Sequence, residues 1–262
     1  MCLFCKKTNS KTKLLRDNKW VITVFAILMA GASCISYQYA MMSLEKIPFF
    51  YDIILDQTNG LLDICLIIPF AWLLVTGNLK SNIYKPSFKT ATLIKNVFVV
   101  NSICLLCFIA MNLIVYLCLS GFKNPFIDYW VVNNQMYRMG FLPIGACFVS
   151  LLLLYIRMTF FTLVSLVINM MFNSEVYGFL VVLIICLIDW GLYEYLKIYK
   201  PTGLLPVEHS RILYTAGYAP MRKTDVRISF ETSILYWTLL YMVIIFLFKW
   251  LRGKRVGVKQ NG

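Results

Sequence analysis

Long apolar runs separated by short polar segments are the dominant pattern of this 262-residue chain. A helix needs about 20 consecutive, mostly apolar residues to cross the hydrocarbon core of a bilayer. Six runs meet this requirement or come close to it, and each is predicted to be a transmembrane helix. They are residues 20–42, 60–77, 96–119, 141–173, 176–195 and 232–248. The pattern therefore predicts an all-α membrane protein, with residues 1–262 forming a single transmembrane domain.

The run 141–173 is the one whose interpretation is open, because it is too long for one ordinary span. Divided in two, it would give a seven-span protein with a turn at residues 156–158. No Gly, Pro or Asn stands at that position to make a turn. We therefore expect one long helix that begins near Pro143, since proline is favoured in the first turn of a helix.

Composition supports a membrane location. Apolar residues make up 60% of the chain and charged residues 14%, whereas soluble domains have about 25% charged residues. The net charge is +13, from 25 Lys and Arg against 12 Asp and Glu. These basic residues are divided among short segments between apolar runs. We therefore expect the lipid bilayer, and not a nucleic acid, as a partner.

The distribution of basic residues predicts the orientation. With six spans, six Lys/Arg from residues 1–19, four from the loop 78–95 and five from the tail 249–262 lie on one side, which gives 15 against two acids. Basic segments face the cytoplasm, so both termini are expected there and the segment 196–231 outside. The seven-span alternative also satisfies this rule, but it places 196–231 inside and exports the basic tail.

Motifs for catalysis are absent from the sequence. It contains no phosphate-binding P-loop, no H-E-x-x-H and no G-x-S-x-G. Its two C-x-x-C pairs cannot form one zinc site, because Cys104 and Cys107 lie within a span and Cys2 and Cys5 do not. We therefore expect a protein that is not an enzyme and that carries no metal or cofactor of its own. The only histidine, His209, is expected to be a solvated loop residue.

Four ionisable side chains fall within the predicted spans: Asp63, Arg157, Asp189 and Glu194. Charges inside a bilayer are costly and usually face the protein interior or a water-filled cavity. Arg157 could extend its side chain to the interface, or it could pair with Asp63 or Asp189. We expect the paired arrangement. Trp237 and Trp250, near the ends of the last span, are expected in the aromatic belt at the membrane surface.

The order of these segments resembles the six-helix permease subunits of type-2 ABC exporters, especially the small Gram-positive ones that move peptides, bacteriocins or lantibiotics. The matching features are the basic lead-in Lys11-Thr12-Lys13-Leu14-Leu15-Arg16, the basic loop 78–95, the turn Asn173-Ser174-Glu175, and a long Pro- and Gly-containing segment before a last span with a basic tail.

The resemblance implies a function in the bacterial cytoplasmic membrane. A separate ATPase subunit would bind ATP and Mg²⁺, and a second permease subunit, identical or a sister protein, would complete the path. The loop 78–95 would be the coupling segment that contacts the ATPase, with Lys80, Tyr84, Lys85 and Lys89 as candidate contacts. In that family the segment before the last span often re-enters the membrane from outside.

Two other functions remain open from the sequence. One is a stand-alone membrane protein that gives immunity to a peptide or assists a peptide system. The other is a carrier or channel that works without ATP. A co-purifying ATPase would distinguish the permease from both.

Overall fold

The structure, a computed structural model, describes residues 19–44, 50–59, 90–120, 143–172, 174, 177–199, 204–210 and 230–260. These residues are almost entirely helical. The helices are α1 (Lys19–Leu44), α2 (Phe50–Asn59), α3 (Thr90–Ser120), α4 (Pro143–Phe172), α5 (Tyr177–Tyr199) and α6 (Phe230–Gln260), with a short 3-10 helix at Glu208–Ser210. The predicted second span 60–77, residues 1–18 of the predicted lead-in 1–19 and residues 78–89 of the predicted loop 78–95 lie outside the described residues. Residues 90–95, expected in that loop, instead form the first turns of α3.

The long apolar run 141–173 is one helix, as the sequence predicted. Helix α4 begins at Pro143 and runs without a break to Phe172. It is also the central element, since it packs against α2, α3, α5, α6 and the 3-10 helix. Of its apolar stretch 67% is buried, against 22% for α3 and 17% for α6.

Three helices among the described residues are long and apolar enough to cross a membrane. They are α3 over its whole length, Cys147–Phe172 of α4 and Glu231–Lys254 of α6. Shorter apolar stretches occur in α1, at Ala26–Gln38, and in α5, at Tyr177–Asp189. Large apolar side chains such as Ile27, Leu106 and Phe246 are more than 60% exposed on the outer faces of these helices. An apolar exterior of this kind is consistent with a membrane-embedded protein.

Helix α2 was not predicted: the sequence indicated only a short segment over residues 43–59, between the first two spans. The structure instead packs α2 against α1, α3 and α4. Ile53 and Ile54 are fully buried, and Gln57 donates through Nε2 to Ser33 Oγ at 3.3 Å. Ser33 Oγ also lies 2.8 Å from Asn112 Oδ1, so a buried polar contact joins α1, α2 and α3.

Helix α6 differs from its prediction in length. The last span was expected to end at residue 248 and to be followed by a basic tail, but the helix continues through the basic residues to Gln260. Lys and Arg are good helix formers, and Arg252 also donates to Thr90 Oγ1 of α3 at 3.3 Å. This contact holds the first turns beyond the apolar part against a neighbouring helix.

Side-chain contacts fix the relative directions of the helices. Ser33 of α1 contacts Asn112 of α3, and Tyr37, one turn later, contacts Tyr116, one turn later in α3; α1 and α3 are therefore parallel. Helix α6 is antiparallel to α3, since Tyr241 stacks on Phe98 and Arg252 reaches Thr90. Helix α5 is antiparallel to α4, with contacts of Gly178 with Asn169 and of Asp189 with Arg157.

Candidate functional site

The candidate site is a buried polar cluster where α4, α5 and the beginning of α6 meet residues 204–210. Its centre is Arg157 of α4, whose Nη2 lies 3.9 Å from Oδ2 of Asp189 on α5. The two residues are 1% and 3% exposed. The predicted contact between Arg157 and Asp189 is therefore present. The alternative in which Arg157 extends to the interface is wrong, because its side chain is enclosed by the bundle.

Asp189 has a second contact, with the segment 204–210. Its Oδ1 accepts a hydrogen bond from the backbone N–H of Val207 at 3.4 Å. The segment can turn here because Pro206 favours a tight turn. The carboxylate of Glu208 then accepts from the N–H of Leu205 at 3.3 Å. The turn thus directs one of its own N–H groups toward Asp189.

His209 is buried, and the expectation of a solvated loop histidine is wrong. It is 3% exposed, its ring stacks on that of Tyr236 with centroids 4.0 Å apart, and its Nδ1 lies 2.9 Å from Ser233 Oγ. Trp237 donates through Nε1 to the carbonyl of His209 at 3.1 Å. Tyr236 donates to the carbonyl of Leu204 at 2.9 Å. The first two turns of α6 therefore hold the whole segment 204–210 in place.

Burial of Trp237 corrects a second expectation. This residue was assigned to the aromatic belt at the membrane surface, but it is 3% exposed and packs edge-to-face on Phe160 of α4. Trp250, assigned to the same belt, is 48% exposed. A tryptophan near a span end can thus serve as a hydrogen-bond donor inside the bundle, since its indole N–H needs a partner when it is buried.

The cluster combines one guanidinium, two carboxylates and one imidazole. Within the described part of the chain these are Arg157, Asp189, Glu208 and His209, all at most 3% exposed. Ionisable groups inside a membrane protein usually pair with one another and mark substrate, ion or proton pathways. No group of three or more His, Cys, Asp or Glu among the described residues could hold a metal ion.

The remaining predicted site residues are not brought to the cluster by the described structure. Glu194 belongs to α5, but its side chain is outside the described part. Asp63, Lys80, Tyr84, Lys85 and Lys89 lie outside the described residues. Conversely, the sequence did not identify Glu208, His209 or Ser233 as part of a site. The contact of His209 with Ser233 joins residues 24 positions apart.

Comparison of the chain with protein-family models, curated proteins and solved structures found no match.

Proposed function

We propose that this chain is the membrane permease subunit of an ABC exporter. It would move a peptide or another amphipathic substrate, using ATP hydrolysed by a separate subunit. The observation that carries the proposal is the enclosed contact between Arg157 and Asp189 on the central helices of an otherwise apolar bundle. Burying such a pair often costs as much as it contributes to stability. A functional reason for keeping it in the membrane interior is therefore preferable to a purely structural one.

A six-span topology with both termini in the cytoplasm is part of this proposal. The seven-span alternative needs a chain reversal at residues 155–159, and α4 is continuous there. The parallel pair α1 and α3 and the antiparallel pairs α4–α5 and α3–α6 suit six crossings if residues 60–77 also cross. The pair α4–α6 does not, since Phe160 meets Trp237 and Ile156 accepts from Tyr241, which makes these two helices antiparallel where six regular crossings would make them parallel. Under this topology the segment 204–210 and the polar cluster lie toward the outer end of the bundle.

Transport would use the cluster as the point where two states of the bundle differ. A ligand shifts a conformational equilibrium only if it binds the two states with different affinity. An anionic group of the substrate that replaces Asp189 beside Arg157 would provide that difference. It would also remove the acceptor of the Val207 N–H and release the segment 204–210 from α5.

Coupling to ATP rests on the loop 78–95 and on the resemblance to the exporter family. Lys80, Lys85 and Lys89 give this loop a positive charge without any acid, which suits a contact with an acidic partner surface. ATP and Mg²⁺ would be bound by the partner ATPase. A second permease subunit, identical or a sister protein, would complete the path.

The test is whether the chain co-purifies with an ATPase and stimulates it. The full chain, solubilised in a mild detergent, should retain an ATPase, and replacing Tyr84 and Lys85 by alanine should strongly reduce the stimulation without loss of membrane insertion. Lys254→Gln in the basic tail is the matched control and should leave the stimulation unchanged. Absence of any associated ATPase, or labelling that places residue 85 outside the cell, would contradict the proposal.

A carrier that works without ATP is a second candidate, and one observation favours it. The cluster holds four ionisable groups, including the only histidine of the chain, and such groups form proton relays in membrane transporters. In proteoliposomes without any ATPase, uptake or release driven by a pH gradient would support this candidate. The permease proposal expects no such transport. A stand-alone immunity or accessory protein would show neither activity.

A further inference from the structure

A groove with a volume of about 650 Å³ runs along α6, between this helix, α3 and α4. The floor is formed by Phe98, Leu153 and Ile156. The rim includes Met242 and Phe246, which are 62% and 67% exposed and so leave the groove open toward the surroundings of the bundle. Its volume is in the range of ligand-binding pockets, about 300–1,000 Å³.

The two ends of the groove differ in charge. Lys249 lines one end, and Ser233 and Trp237, which are occupied by the segment 204–210, line the other. The neighbouring cations of α6 are directed elsewhere. Arg252 contacts Thr90, and Lys254 lies over the ring of Trp250 at 4.1 Å. Among the described cations of α6, Lys249 is therefore the one that lines the groove.

The apolar part of the groove has the length of one membrane leaflet. From Trp237 to Phe246 the helix advances nine residues, which corresponds to about 14 Å at a rise of about 1.5 Å per residue. This is close to half of the ~30 Å hydrocarbon core. A molecule with an apolar chain of this length and an anionic group at the Lys249 end matches both the shape and the charge.

We propose that the groove binds an anionic phospholipid, with one acyl chain along α6 and the phosphate beside Lys249. Basic pockets between transmembrane helices are known to bind anionic headgroups. A second copy of the chain is a poorer occupant. Two copies inserted in the same orientation would bring Lys249 and Lys254 of both to the same depth in the membrane, where like charges repel. This inference does not depend on the transport proposal.

The test is photo-crosslinking of the full chain in vesicles made of equal parts of phosphatidylglycerol and phosphatidylcholine. A benzophenone amino acid replaces Met242, which lines the groove, or Val243, which is 56% exposed and does not line it. Mass spectrometry then gives the share of each lipid among the adducts. At position 242 we expect phosphatidylglycerol adducts to outnumber phosphatidylcholine adducts about fivefold, the preference that one lysine near an anionic headgroup provides. At position 243 we expect no enrichment.

Lysine variants identify the source of the preference. Lys249→Gln should remove the enrichment at position 242, Lys249→Arg should keep it, and Lys254→Gln should leave it unchanged. Equal shares of the two lipids at position 242, or the same loss with Lys254→Gln, would overturn the proposal. A crosslinked dimer through position 242 would also overturn it and assign the groove to a second copy. The comparison of positions 242 and 243 in the otherwise unchanged chain decides the matter even if Lys249→Gln does not fold.

Discussion

The guanidinium of Arg157, only 1% exposed, needs a nearby anion, because an uncompensated charge inside the bundle is strongly destabilising. Replacing Asp189 by Asn should cost about 3–5 kcal/mol in the free energy of unfolding, as should Arg157→Leu. The double variant should cost less than the sum, with a coupling energy of about 0.5–3 kcal/mol. Reversible unfolding in mixed detergent micelles measures all four proteins.

A distant pair provides the control for this cycle. Asp189→Asn combined with Lys254→Gln should be additive within about 0.5 kcal/mol, because the two positions share no contact. If the effects of the Arg157 and Asp189 substitutions also proved additive, the 3.9 Å contact between these residues would make no measurable contribution to the free energy of unfolding. The cluster would then lose its central interaction.

Gly178 is the residue at which the smallest substitution should have a large effect. Its N–H donates to Asn169 Oδ1 at 2.8 Å, and an added Cβ would collide with the carbonyl of Ser165 on α4. Gly178→Ala should therefore destabilise the protein by about 1–3 kcal/mol, as overpacking does. Thermal unfolding in detergent measures this loss of stability.

Gly191→Ala is the matched control in the same helix. No atom lies within 4 Å of the position of its Cβ, so the substitution should be neutral or stabilising by up to about 1 kcal/mol through helix propensity. Equal effects of the two substitutions would show that α4 and α5 are not in the close contact described.

For single residues, the sequence predicted contacts between charged side chains better than contacts of the other buried polar side chains. The contact of Arg157 with Asp189 could be inferred because each alone is unfavourable in a membrane. The burial of His209 could not, because nothing in the sequence around it indicates the ring of Tyr236 or the hydroxyl of Ser233. Its environment is made by residues of a helix that begins 21 positions later.

Among the elements, the segment 204–210 is held by side chains of other helices. Two hydrogen bonds from α6, those of Tyr236 and Trp237, end on its carbonyl groups. Trp237→Phe removes one donor while keeping an aromatic ring. We expect amide hydrogen exchange in 204–210 to accelerate up to about tenfold, the equivalent of one net hydrogen bond.

Exchange in α3 serves as the internal reference for this measurement, and Trp250→Phe on the exposed part of α6 is the matched variant. Trp237→Phe should leave the exchange rates of α3 unchanged, and Trp250→Phe should leave those of 204–210 unchanged. If Trp237→Phe left the exchange of this segment unchanged as well, the segment would be held by Asp189 and its own turn rather than by α6.

The sequence predicted the extent of a helix correctly where a long apolar run alone determined it. The continuous helix α4 is an example, because the absence of turn-forming residues near Arg157 was sufficient. Helix α2 is the opposite case. The sequence indicated only a short segment between two spans there, whereas Ile53 and Ile54 pack into the core. A ten-residue helix with one buried face gives too weak a periodic pattern to be distinguished from a loop.

For the whole molecule, orientation in the membrane is the property that can be tested most directly. A green fluorescent protein fused to the C-terminus should fluoresce, because the basic end of α6 is expected in the cytoplasm. A periplasm-dependent reporter such as alkaline phosphatase, fused at the same position, should be inactive. The same two reporters inserted at exposed Leu204 should give the opposite result. Activity of the phosphatase at the C-terminus would instead support seven spans.

Helix α6 has one further consequence at this scale. Its 31 residues extend about 46 Å at about 1.5 Å per residue, longer than the bilayer core of about 30 Å. Near its beginning it contacts the segment 204–210 through Trp237, and eight residues before its end it contacts α3 through Arg252 and Thr90. Because the helix is stiff, a small tilt about its middle would move these two contact points in opposite directions. A displacement of the segment 204–210 would thereby reach the contact of Arg252 with Thr90 through the helix itself.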